Sequence, residues 1–175
     1  MILPLRHQVM TATDENTIYL ARNLVCDGAT FYDTGFAPFY GDNKNTDFKI
    51  TLRLSSFTKN ATQDVVLGCK YEGTLSGQSY PGLYVRLNSS NTNTFQIGGY
   101  NYYTPTIASL LNKNIQIWRK SGTWKALIDG LTEQTLSIRV AEFNQNIVIG
   151  AGVQTNGNKF RYSKCNIDYI RIEYI

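Results

Sequence analysis

The stretch from Asn114 to Gly130 constrains this chain most. Asn114-Ile115-Gln116-Ile117-Trp118-Arg119-Lys120 alternates apolar and polar side chains, and Thr123-Trp124-Lys125-Ala126-Leu127-Ile128-Asp129 does the same. Side chains of a strand point alternately to its two faces, so each run predicts a strand with one buried face. Ser121-Gly122 joins them as a turn, because glycine reaches positive φ at little cost. Asp129-Gly130 closes the second run with another turn pair. Cys165-Asn166-Ile167-Asp168-Tyr169-Ile170-Arg171-Ile172-Glu173-Tyr174-Ile175 ends the chain in the same style. The pattern is that of an antiparallel β-sandwich.

Further strand signals lie at Thr17 to Leu20, Leu24 to Cys26, Asp47 to Leu54, Val65 to Cys69, Gly82 to Leu87 and Thr94 to Ile97. Gln134 to Val140, Asn146 to Ile149 and Ile167 to Tyr174 complete the set. Gly41 to Asn45, Asn88 to Asn93 and Gln154 to Asn158 are turn-rich separators. Only Thr106 to Leu111 suggests a turn of helix. Many short strands at this spacing predict a sandwich or barrel. Period two places Phe48, Ile50, Leu52, Leu54, Leu83, Val85, Leu87, Ile115 and Ile117 inward, and Tyr84 outward. By the same parity Trp124, Ala126 and Ile128 share a face, so Trp124 anchors the core and Trp118 faces away from it.

The 175 residues suit one domain with a substantial core. Twelve tyrosines favour strands. Residues 24–175 read as the sandwich. Residues 1–23, with the polar Thr11 to Asn16, read as an arm or docking segment dispensable for folding. Met1 to Leu5 is too short for the apolar core of a secretory signal and is followed by Arg6. No apolar run approaches a membrane span. These features leave a chain made for the cytoplasm, exported as part of an assembly, or cut from a longer one.

The net charge of +4 arises in the second half, where nine basic residues meet five acidic ones from Asn88 onward. Lys159, Arg161, Lys164 and Arg171 form a cluster too loose for a nucleic-acid patch and read as a solvated face. Three cysteines make no disulfide scaffold. His7 is the single histidine and precedes the sandwich, which argues against a histidine-built zinc site or a Ser-His-Asp triad within this domain.

Gly98-Gly99-Tyr100-Asn101-Tyr102-Tyr103-Thr104-Pro105 is the most unusual loop. Sugars stack C–H faces on aromatic rings and exchange hydrogen bonds with amides and hydroxyls. Tyr100, Asn101, Tyr102 and Tyr103 supply that mixture, with Tyr80 and Trp118 as extensions, and the glycine pair permits close backbone approach. The same rings also suit packing over the sandwich edge or against a neighbouring subunit.

Several segments resemble the concanavalin A-like and laminin-G-like jelly-roll domains. Leu24-Val25-Cys26-Asp27-Gly28 and Phe31-Tyr32-Asp33-Thr34-Gly35 resemble that family's opening strands, and Thr46-Asp47-Phe48-Lys49-Ile50 its next core strand. Ile115 through Gly130 resembles its hairpin ending in Asp-Gly. Asn146 to Gly150 and Phe160 to Ile172 resemble its last strands, so the match covers Val25 to Glu173. The resemblance implies an all-β fold of two antiparallel sheets in a jelly roll. It further implies that Cys26 and Cys165 approach each other, although the odd count favours free thiols. Tyr32-Asp33-Thr34-Gly35 followed by Thr46-Asp47-Phe48 is similar to domains of phage tail and capsid appendages, which implies a virion-associated or extracellular location.

Some domains of this kind bind calcium, for which Asp42, Asn43, Asn45 and Asp47 are the candidates, with Lys44 as a competing cation. No other cofactor is implied. Glycosidases of this fold carry carboxylates on one strand face, whereas Asp168 and Glu173 fall on opposite faces of a regular strand. The expected function is therefore non-catalytic: a lectin-like carbohydrate or receptor-recognition module, on a phage tail fibre contacting host glycans. The alternatives are a structural virion protein and a glycoside hydrolase. Expected partners are a glycan or host receptor, other virion proteins through the arm, and further copies in a homo-oligomer such as a trimer, with no nucleic acid and no membrane.

Overall fold

The computed structural model describes residues 15–60, 64–70, 73–88, 90, 93–99, 102–153 and 158–175. The fold is a two-sheet antiparallel jelly-roll sandwich. The first sheet runs in the order β1 (Thr17–Asp27), β16 (Lys164–Tyr174), β3 (Phe48–Thr58), β10 (Asn114–Lys120), β11 (Thr123–Ile128) and β12 (Gln134–Leu136). The second runs β2 (Tyr32–Asp33), β13 (Val148–Ile149), β4 (Val65–Lys70), β7 (Gly82–Leu87), β8 (Phe95–Gly98) and β9 (Tyr102–Tyr103). Two ribbons, β5 (Thr74–Leu75) with β6 (Gln78–Ser79) and β14 (Gly152–Val153) with β15 (Lys159–Phe160), stand beside them. Helix α1 (Ile107–Leu110) is the expected single turn, capped by the Thr106 side chain accepting from Ser109 N.

The core fills the space between the sheets. Phe48, Ile50, Leu52 and Leu54 of β3 meet Leu67, Cys69, Leu83, Val85, Phe95 and Ile97 of the second sheet. Hairpin parity holds: Trp124 is 3% exposed, while Trp118 lies outside the core. The Trp124 ring stacks on Phe39 at 5.7 Å and meets Phe48 edge-on at 5.4 Å. Ser121 and Gly122 both take positive φ in the turn between β10 and β11.

The division expected after Asn23 needs correction. Strand β1 pairs with β16 from Thr17 to Asp27, so residues 17–23 belong to the first sheet. Asn23 has a φ of 53°, and its place in the ladder is skipped between Arg22↔Tyr169 and Leu24↔Ile167. That irregularity breaks the apolar alternation and reads as a boundary, although the ladder continues through it. Residues 1–14 lie outside the described residues.

Cys26 faces Cys165 in the register of β1 and β16, and all three thiols are free and buried. Hydrogen bonding to Cys165, together with burial, pushes the Cys26 thiol up, and burial with the Asp33 charge raises Cys69.

Burial of Trp124 sets a test of register. Trp124→Ala is expected to cost about 3–5 kcal/mol, as large-to-small core changes do. Trp118→Ala should cost about 1 kcal/mol or less, since it leaves no core cavity. Urea denaturation of the two variants measures the difference, and the reverse order would contradict the assigned faces.

Candidate functional site

The site begins with strand parity in the second sheet. Leu67, Cys69, Leu83, Val85, Phe95 and Ile97 point into the core, so Gly68, Lys70, Tyr84, Arg86, Gln96 and Gly98 point to the outer face. Register turns these into a cross-strand row: Asp33, Val148, Gly68, Tyr84, Gly98 and Tyr102 are consecutive partners. Tyr84 thus sits between two glycines. A Cβ on Gly68 would come within 3.0 Å of Tyr84 Cε1 and 3.2 Å of Ala151 O. Without it the ring has room over Gly68. Tyr84 does face outward, as parity requires, yet it is 0% exposed. The ring is buried by what lies above it.

Lys70 and Arg86 cover that ring. Lys70 Nζ stands 5.2 Å from the Tyr84 ring centre and Arg86 Cζ stands 5.4 Å from it. Both also approach Tyr102, at 5.3 and 5.1 Å. The Tyr102 hydroxyl accepts from Lys70 Nζ at 2.7 Å and from Arg86 Nη2 at 3.1 Å. Lys70 Nζ also donates to Gly99 O at 3.1 Å, and Arg86 Nε donates to Gln96 Oε1 at 2.9 Å. Two cations sharing one acceptor repel by roughly 3 kcal/mol at an effective dielectric of ~20. The negative ring faces of Tyr84 and Tyr102 offset part of that repulsion. Lys70 is 5% exposed, while Arg86 remains half-buried and open to the outer face.

Tyr80 joins this cluster from the end of β6. Its ring is 53% exposed and lies 5.8 Å from Lys70 Nζ. Of the rim expected from sequence, Tyr80 and Tyr102 therefore converge. Tyr103 does not: it follows Tyr102 in β9, faces the opposite way and packs against the core, where burial raises its phenol pKa. Trp118 belongs to the other sheet, between Lys49 and Lys125 in register, beside a shallow cleft of about 250 Å³ with Lys120 and Thr123. It does not extend the rim. Tyr100 and Asn101 lie outside the described residues. The expected close approach at the glycine pair is present, for a Cβ on Gly99 would collide with Gly82 O. Lys70, Arg86 and Gln96 are the members that sequence reasoning missed. Their parity was readable, but the pairing of β4 with β7 was not.

At the far end of the same outer row lies a cleft of about 290 Å³ lined by Asp33, Asn144, Asn146, Val148 and Lys159 among others. Asp33 Oδ1 accepts from Asn146 Nδ2 at 2.8 Å and from Gly35 N at 2.9 Å.

The loop with the calcium candidates is organised around a guanidinium instead. Arg119 shares the inward parity of Ile115 and Ile117 and is 2% exposed. It donates to the carbonyls of Asn43, Lys44 and Thr46 around the 3₁₀ turn Gly41–Asn45, and stacks over Phe48 and Trp124 at 5.3 and 5.6 Å. Burial pulls its pKa down and Asp47 opposes the shift. Asp47 accepts from Ser121 N at 2.9 Å, and Asn43 Nδ2 donates to Ala37 O at 3.2 Å. Asp42, Asn43, Asn45 and Asp47 thus form no oxygen cage; the carbonyls that calcium would use serve Arg119.

Asp168 and Glu173 correct another expectation. Bulges at Asn166/Ile167 and Ile167/Tyr169 shift the parity of β16, so both carboxylates reach the outer face of the first sheet. Asp168 meets Arg53 at 3.8 Å, and Glu173 meets Lys49 and Arg171 at 2.9 Å. Lys49 and Arg53 are four residues apart on β3, roughly 13 Å along a strand rising ~3.3 Å per residue. A glycosidase pair needs a separation of about 5–9.5 Å.

No protein-family model matches the chain. No curated protein matches it either. Among solved structures, the CBM40 domain of Ruminococcus gnavus IT-sialidase bound to alpha2,6 sialyllactose is similar at 12% identity and a TM-score of 0.50, over 90% of this chain and 92% of that one. Trypanosoma rangeli sialidase in complex with 2,3-difluorosialic acid is similar at 11% identity and a TM-score of 0.54, over 90% of this chain and 26% of that one. At such identities the likeness is one of fold, and this chain spans about a quarter of the trypanosomal enzyme.

Arg119 gives the site's structural prediction. Arg119→Lys is expected to lower stability by about 2 kcal/mol or more, because a single ammonium cannot satisfy three carbonyls held by a planar fork. The melting temperature of the wild-type protein should be the same in millimolar calcium as in EDTA. A calcium-dependent rise would contradict the placement of the guanidinium.

Proposed function

We propose that this chain is a non-catalytic carbohydrate-binding module that holds its sugar on the outer face of the second sheet. The observation that carries the proposal is the convergence of Lys70, Arg86, Gln96, Tyr80 and Tyr102 on one open face above Tyr84. Rings of Tyr80 and Tyr102 offer C–H stacking, while Arg86 and Gln96 offer hydrogen bonds to sugar hydroxyls. The face is built before any ligand arrives: Tyr84 is fixed by the glycine row, and Tyr102 is fixed by two cations. Such pre-organisation lowers the cost of binding. The likeness of fold to a CBM40 domain supports the reading. Its non-catalytic character rests on the ion-paired, widely separated Asp168 and Glu173.

A shallow face buries little area, so single-site affinity should be weak and several copies would raise it through effective concentration. A phage appendage setting, with attachment to host glycans, rests on the sequence resemblance alone.

Glycan-array screening followed by calorimetry tests the proposal. Tyr102→Ala should weaken binding of the best glycan at least tenfold with the fold intact, and Trp118→Ala should change it by less than about twofold. Loss in Trp118→Ala with retention in Tyr102→Ala would move the site to the first sheet. Absence of any glycan binding would leave structural decoration as the better reading.

A further inference from the structure

We infer that the sugar taken by this face carries a carboxylate, and that Arg86 is the residue that selects it; the inference rests on the glycan reading above. The starting point is how Arg86 is satisfied. Its contacts are a neutral amide oxygen, a phenol hydroxyl and the faces of two tyrosines. No carboxylate pairs with it among the described residues. Five other described cations do have such a partner: Lys44, Lys49, Arg53, Lys125 and Arg171 each meet an acidic side chain within 4 Å. Those pairs lie on the outer face of the first sheet or in the loops, not around Arg86.

Geometry adds direction. Gln96 takes the Nε–H and Tyr102 takes one Nη2–H, so two edges of the fork are anchored while Nη1 and the second Nη2 hydrogen keep their capacity to donate. Rings on Tyr84 and Tyr102 hold the guanidinium plane in place. A planar, pre-oriented pair of N–H donors matches a carboxylate bidentately, which a sugar hydroxyl cannot equal. Lys70 stands across the shared Tyr102 hydroxyl and adds positive potential to the same spot. Asp33, the described carboxylate in the outer row, is at its opposite end, with four residues between it and Tyr102. Among the described residues no carboxylate stands beside Arg86, and an acidic sugar is the ligand that complements its free donors.

The test uses the full chain and matched oligosaccharides measured by calorimetry. One set is capped with sialic acid, one with a hexuronic acid, and each is paired with its carboxyl-reduced alcohol. A sulfated neutral oligosaccharide is included, and all are repeated at low and high salt. The acid form of at least one pair should bind tenfold or more tighter than its reduced form, with a preference that shrinks as salt rises. Which pair shows it identifies the source of the carboxylate. Arg86→Gln should narrow that ratio to about twofold. Arg86→Lys should keep part of it, having the charge but not the fork. Melting curves of both variants report whether they fold, and the wild-type comparison of acid and reduced forms does not depend on them.

Equal affinity for acid and reduced forms, with Tyr102-dependent binding, would overturn the carboxylate inference and leave the glycan reading standing. An undiminished acid preference in Arg86→Gln would likewise overturn the role of Arg86. Binding only of the sulfated probe would replace carboxylate selection by general anion capture. No Tyr102-dependent binding of any saccharide would remove both readings.

Discussion

The outer face of the second sheet depends on one packing constraint, the row Gly68, Tyr84, Gly98. A tyrosine on the solvent side of a strand normally stands up from the sheet. Here both register neighbours are glycines, and Tyr84 Cε1 lies 3.0 Å from where a Gly68 Cβ would stand, so the ring reaches over Gly68 as a floor. On that floor sit an amine and a guanidinium, each held by ring faces and by the Tyr102 hydroxyl. Strands β4 and β7 are consequently buried on both sides, one by aliphatic core and the other by this polar layer. Alanine at Gly68 would meet a ring carbon, a valine methyl at 3.1 Å and a backbone oxygen together, so the floor cannot shift without moving Ala151 as well.

The two outer faces of the sandwich differ in how they handle charge. On the first sheet, Lys49, Glu173 and Arg171 form a chain, Arg53 meets Asp168, and Lys125 meets Glu133. Exposed pairs of this kind add little stability, but they engage Lys49 and Lys125, the two cations opposite Trp118 in register. On the second sheet, Arg86 rests on aromatic faces and neutral acceptors. That contrast, more than the number of tyrosines, distinguishes the face proposed for binding. Arg119 shows a third arrangement, a guanidinium that faces inward to hold a loop by its carbonyls and serves the fold.

The legibility of the fold followed the regularity of its strands. The hairpin of β10 and β11 and the face of Trp124 were readable because period two is unbroken there. Strand β7 was bounded correctly at Gly82–Leu87 for the same reason. Where a strand is irregular, local pattern misleads: Asn23, at positive φ, looked like the end of an arm, and Asp168, at a bulge, looked opposed to Glu173. The candidate site was half visible. Tyr80 and Tyr102 stand out by composition and spacing. Lys70, Arg86 and the role of Gly68 depend on which residue of β4 faces which residue of β7, and pairing across 16 residues of sequence leaves no local trace. The calcium loop shows the reverse case, since its oxygen-rich sequence is real but Arg119, more than 70 residues away, already takes its carbonyls.

The central claim is that ligand meets the protein on the outer face of the second sheet and not at the Trp118 hairpin. Backbone and side-chain NMR shifts, followed while an acidic oligosaccharide is titrated into the full chain, test it most directly. The account predicts saturable shifts centred on Lys70, Tyr84, Arg86, Gln96 and Tyr102, with the Trp118, Lys120 and Lys125 signals unmoved. Shifts centred on that hairpin, with the Arg86 and Tyr102 signals silent, would contradict it.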